Sequence, residues 1–139
     1  MPYPGIGVGL NLGTRAGGAP LFSAGEIGLV DAHTVVVTFT RPVLASSYAT
    51  GITIKKNTVS QTIDSATRQA NQAVVYFVLQ DAASAGDTLT FEYNAGVGDY
   101  SNLAATKIMA SLSAVSLVNN LGGSMAGYAM GVLCLTYAA

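Results

Sequence analysis

The chain is short of charge. Only 9% of its 139 residues are Asp, Glu, Lys or Arg, against roughly a quarter in an average soluble domain. The net charge is −1, with no basic run and no acidic tail, so nothing electrostatic favours a nucleic-acid partner. Cysteine is almost missing. The single Cys134 excludes an internal disulfide framework and a Cys-based zinc cage, and it reads as a small buried hydrophobe. No apolar run reaches the roughly 20 residues of a membrane helix. The tail "MAGYAMGVLCLTYAA" is too short, and the uncharged stretch from Ile108 is interrupted by "NNLGG" at 119–123. No membrane span is expected. The start, "MPYPGIGVGL", lacks a positive region and is broken by Pro and Gly, so no secretory leader is expected either.

What the chain does have is apolar and small residues. Half of it is hydrophobic, and it carries 16 glycines. The length suits one domain with a real core. A soluble monomer ordinarily covers itself with more charge than this, so the composition predicts a surface buried against neighbours, as in a homo-oligomer or a larger assembly.

Three zones follow along the chain. Residues 1–21 form a Gly-rich N-terminal arm with one charge, Arg15, and little periodicity. Residues 22–120 read as β throughout. Residues 121–139 are apolar, Gly-containing and uncharged, a C-terminal arm or an added strand. The predicted strands are 22–30, 34–40, 51–56, 58–64, 73–80, 88–93 and 107–118. "TVVVTFT" and "AVVYFVLQ" are rich in β-branched and aromatic residues. In "TLTFEY", Leu89, Phe91 and Tyr93 share one face and Thr88, Thr90 and Glu92 the other. "GITIKKNTVSQTI" reads as a hairpin turning near Lys56-Asn57. Turn signals are "RPVLASS", "SATRQAN", "DAASAGD" and "NAGVGDYSN". Short strands at this spacing, without an amphipathic helix, predict an all-β fold, a β-sandwich of about seven strands with extended arms.

The polar cluster at 86–105, "GDTLTFEYNAGVGDYSNLAA", is the natural place to look for chemistry. Asp87, Asp99 and Asn102 sit where Asp and Asn brace turns by bonding backbone amides. The competing reading is an oxygen-liganded calcium ion held by Asp99, Asn102 and Asp87, with Asn94 or Asp31 contributing. No EF-hand spacing is present, and bracing is the expectation. Asp31 and the only histidine, His33, are two residues apart and would share a strand face. They would need to converge with a serine to make a triad, and no G-x-S-x-G elbow accompanies them. "GIGVGLNLGTRAGG" fits neither the P-loop nor the dinucleotide fingerprint. Glu26 and Glu92 are not paired as an acid and base. Lys55 and Lys56 read as a solvated edge. No catalytic residue, metal or cofactor is therefore predicted.

The order of motifs from "HTVVVTFTRPV" through "GITIKKNTVSQTIDSA", "VVYFVLQDAASAGDTLTFEYNAGVGDYSNLAA" and "SLVNN" resembles a bacterial Ig-like repeat of the SwmB type, found in bacterial surface proteins and phage virion proteins. The resemblance covers about residues 24–120. It implies an Ig-like sandwich used for structure and adhesion, and a short helical turn in "LASSYATG". The family's Asp-x-x-Gly-Asn corner is here Asp99-Tyr100-Ser101-Asn102, without the glycine. With two apolar arms outside the repeat, the expected protein is a non-enzymatic phage virion component, foremost a capsid decoration protein located in the virion. A tail, collar or fibre component, or a host-surface or glycan adhesion module using loop tyrosines such as Tyr48 and Tyr100, are the alternatives.

The expected partners are sister subunits and other virion proteins, such as the major capsid or tail proteins. The expected interface is the apolar residues of the arms: Tyr3, Ile6, Val8, Leu10, Leu12, Leu121, Met125, Tyr128, Met130, Val132, Leu133, Leu135 and Tyr137. The C-terminal arm alternates imperfectly, with Tyr128, Met130, Val132, Cys134 and Thr136 on one side and Leu133, Leu135 and Tyr137 on the other. Such a strand, apolar on both sides, needs cover on both and could add to a sheet edge.

Overall fold

Alternation decides which side chains meet. The computed structural model describes residues 18–122, with eight strands and no helix among them. They are β1 (Phe22–Ile27), β2 (Thr34–Phe39), β3 (Ile52–Lys56), β4 (Val59–Ser60), β5 (Ile63–Arg68), β6 (Val74–Leu79), β7 (Leu89–Tyr93) and β8 (Leu112–Asn119). Every second residue of the apolar strands is sealed from water: Val35, Val37 and Phe39 of β2, Val75, Phe77 and Leu79 of β6, and Leu89, Phe91 and Tyr93 of β7. Together with Ile27, Ile54, Leu117 and Tyr100 they form one core. Each large side chain so buried contributes roughly 1.5–3 kcal/mol of transfer free energy.

The strands form one curled mixed sheet in the order β4-β3-β7-β8-β1-β2-β6-β5. Its two antiparallel halves face each other as the layers of a β-sandwich. They are joined on one flank by a short parallel contact of β1 with β8, Glu26 opposite Val118 and Ile27 opposite Asn119. On the other flank the chain itself crosses over. β4 pairs with β3, the Gln61 N–H donates to the Ile54 carbonyl, and β5 then pairs with β6. The strand directions define two poles. At the corner pole β7 ends and β8 begins; at the far pole β7 begins and β8 ends. Because β1 runs parallel to β8, the described chain enters at the corner pole and leaves at the far pole.

Several expected boundaries shift for identifiable reasons. The first strand stops at Ile27 rather than at residue 30, since Gly28 turns the chain with φ 98°. The predicted strand 58–64 is two strands in different halves, and "SATRQAN", expected as a turn, supplies much of β5. Its polar, small-residue pattern hides a strand whose pairing with β6 is purely tertiary. β8 starts at Leu112, not at 107, because residues 107–109 are drawn into the corner described below. The segment 44–51 makes bends and a turn rather than the helical turn implied by the resemblance, and it closes on Gly51, φ 85°. An added Cβ there would stand 2.8 Å from the Gly98 nitrogen, so this glycine is required twice over.

Candidate functional site

The corner pole is built around Tyr100. It follows the loop after β7, and its side chain is fully buried against Tyr93, Phe39 and Tyr48, with ring centroids 5.1, 5.6 and 5.7 Å away. Its hydroxyl donates to the Tyr48 carbonyl at 2.5 Å, and its own N–H donates to the Tyr93 hydroxyl at 3.0 Å. Burial pushes the phenols of Tyr100 and Tyr93 above the ordinary tyrosine value. Both stay neutral donors and acceptors throughout the physiological range.

The polar residues around this aromatic post are occupied. The Asp99 carboxylate accepts from the Ser46 hydroxyl at 2.7 Å and from the Ser46 N–H at 3.1 and 3.2 Å. These bonds, the hydroxyl first, hold it below the usual carboxylate value. Asn102 is 1% exposed. Its Oδ1 accepts from the N–H groups of Thr106 and Lys107 and its Nδ2 donates to the Thr106 hydroxyl, so one side chain fixes a whole loop. Ser101 exchanges backbone bonds with Leu44 in both directions, and the Met109 N–H donates to the Tyr100 carbonyl. Between these strands of chain lies an open cleft of about 420 Å³, lined by Leu44, Ala45, Ser46, Asp99, Ser101, Ala105 and Ile108. Its only ionised group is Asp99, already spent on Ser46. Its wall is mostly apolar, with the Ser46–Asp99 pair as its polar feature.

Asp87 stands at the far pole. It precedes β7 whereas Asp99 follows it, and five residues of strand separate the two by about 14 Å or more. There Asp87 accepts from the Asn57 amide at 2.8 Å and the Ser84 N–H at 2.8 Å, and these bonds lower its pKa. Asn57 is the hub: its Oδ1 takes the Thr88 N–H and hydroxyl, and its backbone, with that of Thr58, turns the β3–β4 hairpin at φ 51° and 72°. The proposed calcium set is thus split between poles, and among the described residues no three of His, Cys, Asp and Glu gather in metal-holding geometry. Asn94 closes its own turn through the Gly96 N–H.

Asp31 and His33 do not share a strand face; both precede β2. The Asp31 carboxylate caps the turn by accepting from the N–H groups of His33 and Thr34, each at 2.8 Å. Its pKa is lowered, chiefly by the Thr34 side chain. The His33 Nδ1–H donates to the Leu79 carbonyl at 3.0 Å. Glu26 accepts from the Asn120 amide. Glu92 pairs with Lys55 at 3.4 Å, both about a third exposed, and Lys56 donates to the Ala82 carbonyl. The asparagines of "SLVNN" anchor the end of β8: Asn119 donates to the Ser84 and Asp87 carbonyls.

Of the expected interface residues, Leu121 packs partly buried against the core. Tyr3, Ile6, Val8, Leu10, Leu12, Met125, Tyr128, Met130, Val132, Leu133, Leu135 and Tyr137 lie outside the described residues, as does Cys134. Tyr48 and Tyr100, offered as exposed adhesion aromatics, are respectively half-buried and fully buried. The reason is local: their rings complete the core at the pole where β7 ends. The tie formed by Asn57 was missed in the sequence, though its place in "KKNT" at a hairpin turn was a usable signal. Searches against protein-family models and against curated proteins returned no match for the chain.

Proposed function

We propose that the protein is a non-enzymatic structural component of a phage particle, foremost a decoration protein of the capsid. The reading rests on the repeat resemblance of the sequence, and one structural observation carries it. The sandwich has a complete core, yet Leu21, Leu29, Val30, Val59, Val97, Ile108 and Val118 each remain more than half exposed on a surface with very little charge. Such residues gain from being covered by other subunits. The polar clusters support the same reading, since their side chains are engaged in holding loops and turns.

The test is placement. Heads and tails of particles encoding the chain are separated on a gradient and probed for it. A head fraction containing the chain in near-stoichiometric ratio to the shell protein is the expected result. Recovery only with tails moves the assignment to a tail, collar or fibre component, and absence from both overturns the virion reading. Of the contact residues named for the adhesion alternative, Tyr100 is fully buried and Tyr48 half-buried.

A further inference from the structure

The flanks of the sandwich are guarded unequally. On the β3–β4–β5 flank, charged residues stand along the strands: Lys55, Lys56, Asp64 and Arg68, the usual protection against unwanted strand pairing. On the other flank β8 carries no charged residue at all. β1 meets β8 only at Glu26–Val118 and Ile27–Asn119. Before Val118 the side of β8 away from β7 therefore has no backbone-paired strand among the described residues, although Gly25 of β1 still lies against the Leu117 side chain. The register fixes which groups face out. The Thr88 carbonyl accepts from the Asn57 N–H and the Asn94 N–H donates to the Gly51 carbonyl, both on the β3 side, so the odd-numbered Leu89 and Phe91 of β7 bond Leu117 and Val115 of β8. The N–H and C=O of Ser116 consequently point to the open side.

The chain contains a segment suited to that edge. The N-terminal arm as a whole has little periodicity, but over Ile6-Gly7-Val8-Gly9-Leu10-Asn11-Leu12 apolar residues alternate strictly with Gly and Asn. As a strand it would present one apolar face and one nearly bare face, which is what a strand added to the edge of a sandwich needs. Seven residues span about 24 Å, and the open stretch of β8 about 20 Å. The first described residues of the same chain lie on another side of β1. Leu21 bonds Thr40 in both directions, through its carbonyl and through the Thr40 hydroxyl, and Gly18 lies against the Arg41 guanidinium. Residues 18–21 thus lean toward the β2 side of β1, away from β8.

We infer that the open edge of β8 receives the segment Ile6–Leu12 of a second copy of this chain, which adds a strand to the sheet by backbone pairing. The contact is head-to-tail, because donor arm and acceptor edge are different surfaces. The inference rests on the assembly reading but not on its phage placement. Its test uses the full chain in solution, so a failure of one is separable from a failure of the other.

Two variants separate donor from acceptor: Val8→Asp with Leu10→Asp spoils the arm, and Ser116→Pro removes the outward N–H of the edge. Light scattering behind a sizing column should give wild type a mass of at least two protomers and each variant the 14.1 kDa of one. Mixing the two variants should restore association, as a 1:1 dimer and nothing larger, since one brings a sound edge and the other a sound arm. A monomeric wild type, variants of unchanged mass, or a mixture that stays monomeric overturns the inference. Hydrogen exchange supplies a readout that does not depend on the proline variant folding. The Ser116 amide should be protected in wild type and lose that protection in the arm variant. Equal exchange in both, or protection in a monomer, overturns it as well.

Discussion

The two poles of the sandwich are closed by different physics. At the corner pole a buried tyrosine, Tyr100, is gripped by three rings and by hydrogen bonds at its hydroxyl and its N–H. At the far pole exposed Asp and Asn side chains tie turn to turn: Asp31 to His33 and Thr34, Asp87 to Asn57 and Ser84. The difference teaches where a polar-looking loop stores its stability. The corner, which reads in sequence as the chemically richer stretch, is held by hydrophobic burial with polar groups as fasteners. The far pole has the fasteners without the buried post.

That contrast can be broken deliberately. Tyr100→Ala should be the most damaging change, costing about 3–5 kcal/mol as a large aromatic deletion from a packed core, measured by urea unfolding. A loss below about 1 kcal/mol would mean the corner does not depend on its post. Asn102→Ala should cost about 2 kcal/mol, because it strands the Thr106 and Lys107 amides; the same titration checks it. At the far pole Thr58→Gly should raise stability by roughly 0.5–1 kcal/mol. A β-branched residue at φ 72° is strained, and Asn-Gly is the preferred pair for a hairpin turn of this kind.

Proton activity should also tell the poles apart. Asp31, Asp87 and Asp99 all have lowered pKa values. Their contribution is present above the ordinary 3.8 and disappears as pH falls through the lower folded-state values. Acid therefore weakens both poles, and Asp87→Asn should flatten the acid side of the melting profile. Tyr93 and Tyr100 are raised from 10.0, so their contribution is present below pH 10 and fades as pH climbs beyond it. Alkali should thus open the corner pole first, seen as early loss of amide protection at Tyr100 relative to Thr34. The smallest effect is expected for Lys55→Ala, below about 0.5 kcal/mol, since the half-open pair with Glu92 is screened by water.

Much of this architecture was legible because apolar alternation is a direct print of a two-layer core. "TVVVTF", "VVYFVL" and "LTFEY" each show which face is inward, and the structure buries those faces. The bracing role of Asp87 and Asn102 was also readable, since Asp and Asn beside turns have few other uses. What escaped is what depends on distant partners. "IDSATR" has no apolar face to betray a strand and acquires one only by lying beside β6. Tyr100 looked like a loop aromatic because nothing in "VGDYSN" says that Tyr48, 52 residues earlier, will stand over it. The crossing of the chain between halves at 61–62 is equally silent, for polar residues there serve either sheet.

Entry at one pole and exit at the other bears on how the domain carries mechanical load. A pull on its two ends acts along β1 and β8 in opposite senses. The backbone bonds of their ladders with β2 and β7 lie across that pull and are strained together in shear, rather than being unzipped one by one. A domain threaded this way behaves as a tension member: it resists being drawn out along its length far better than being peeled from one edge.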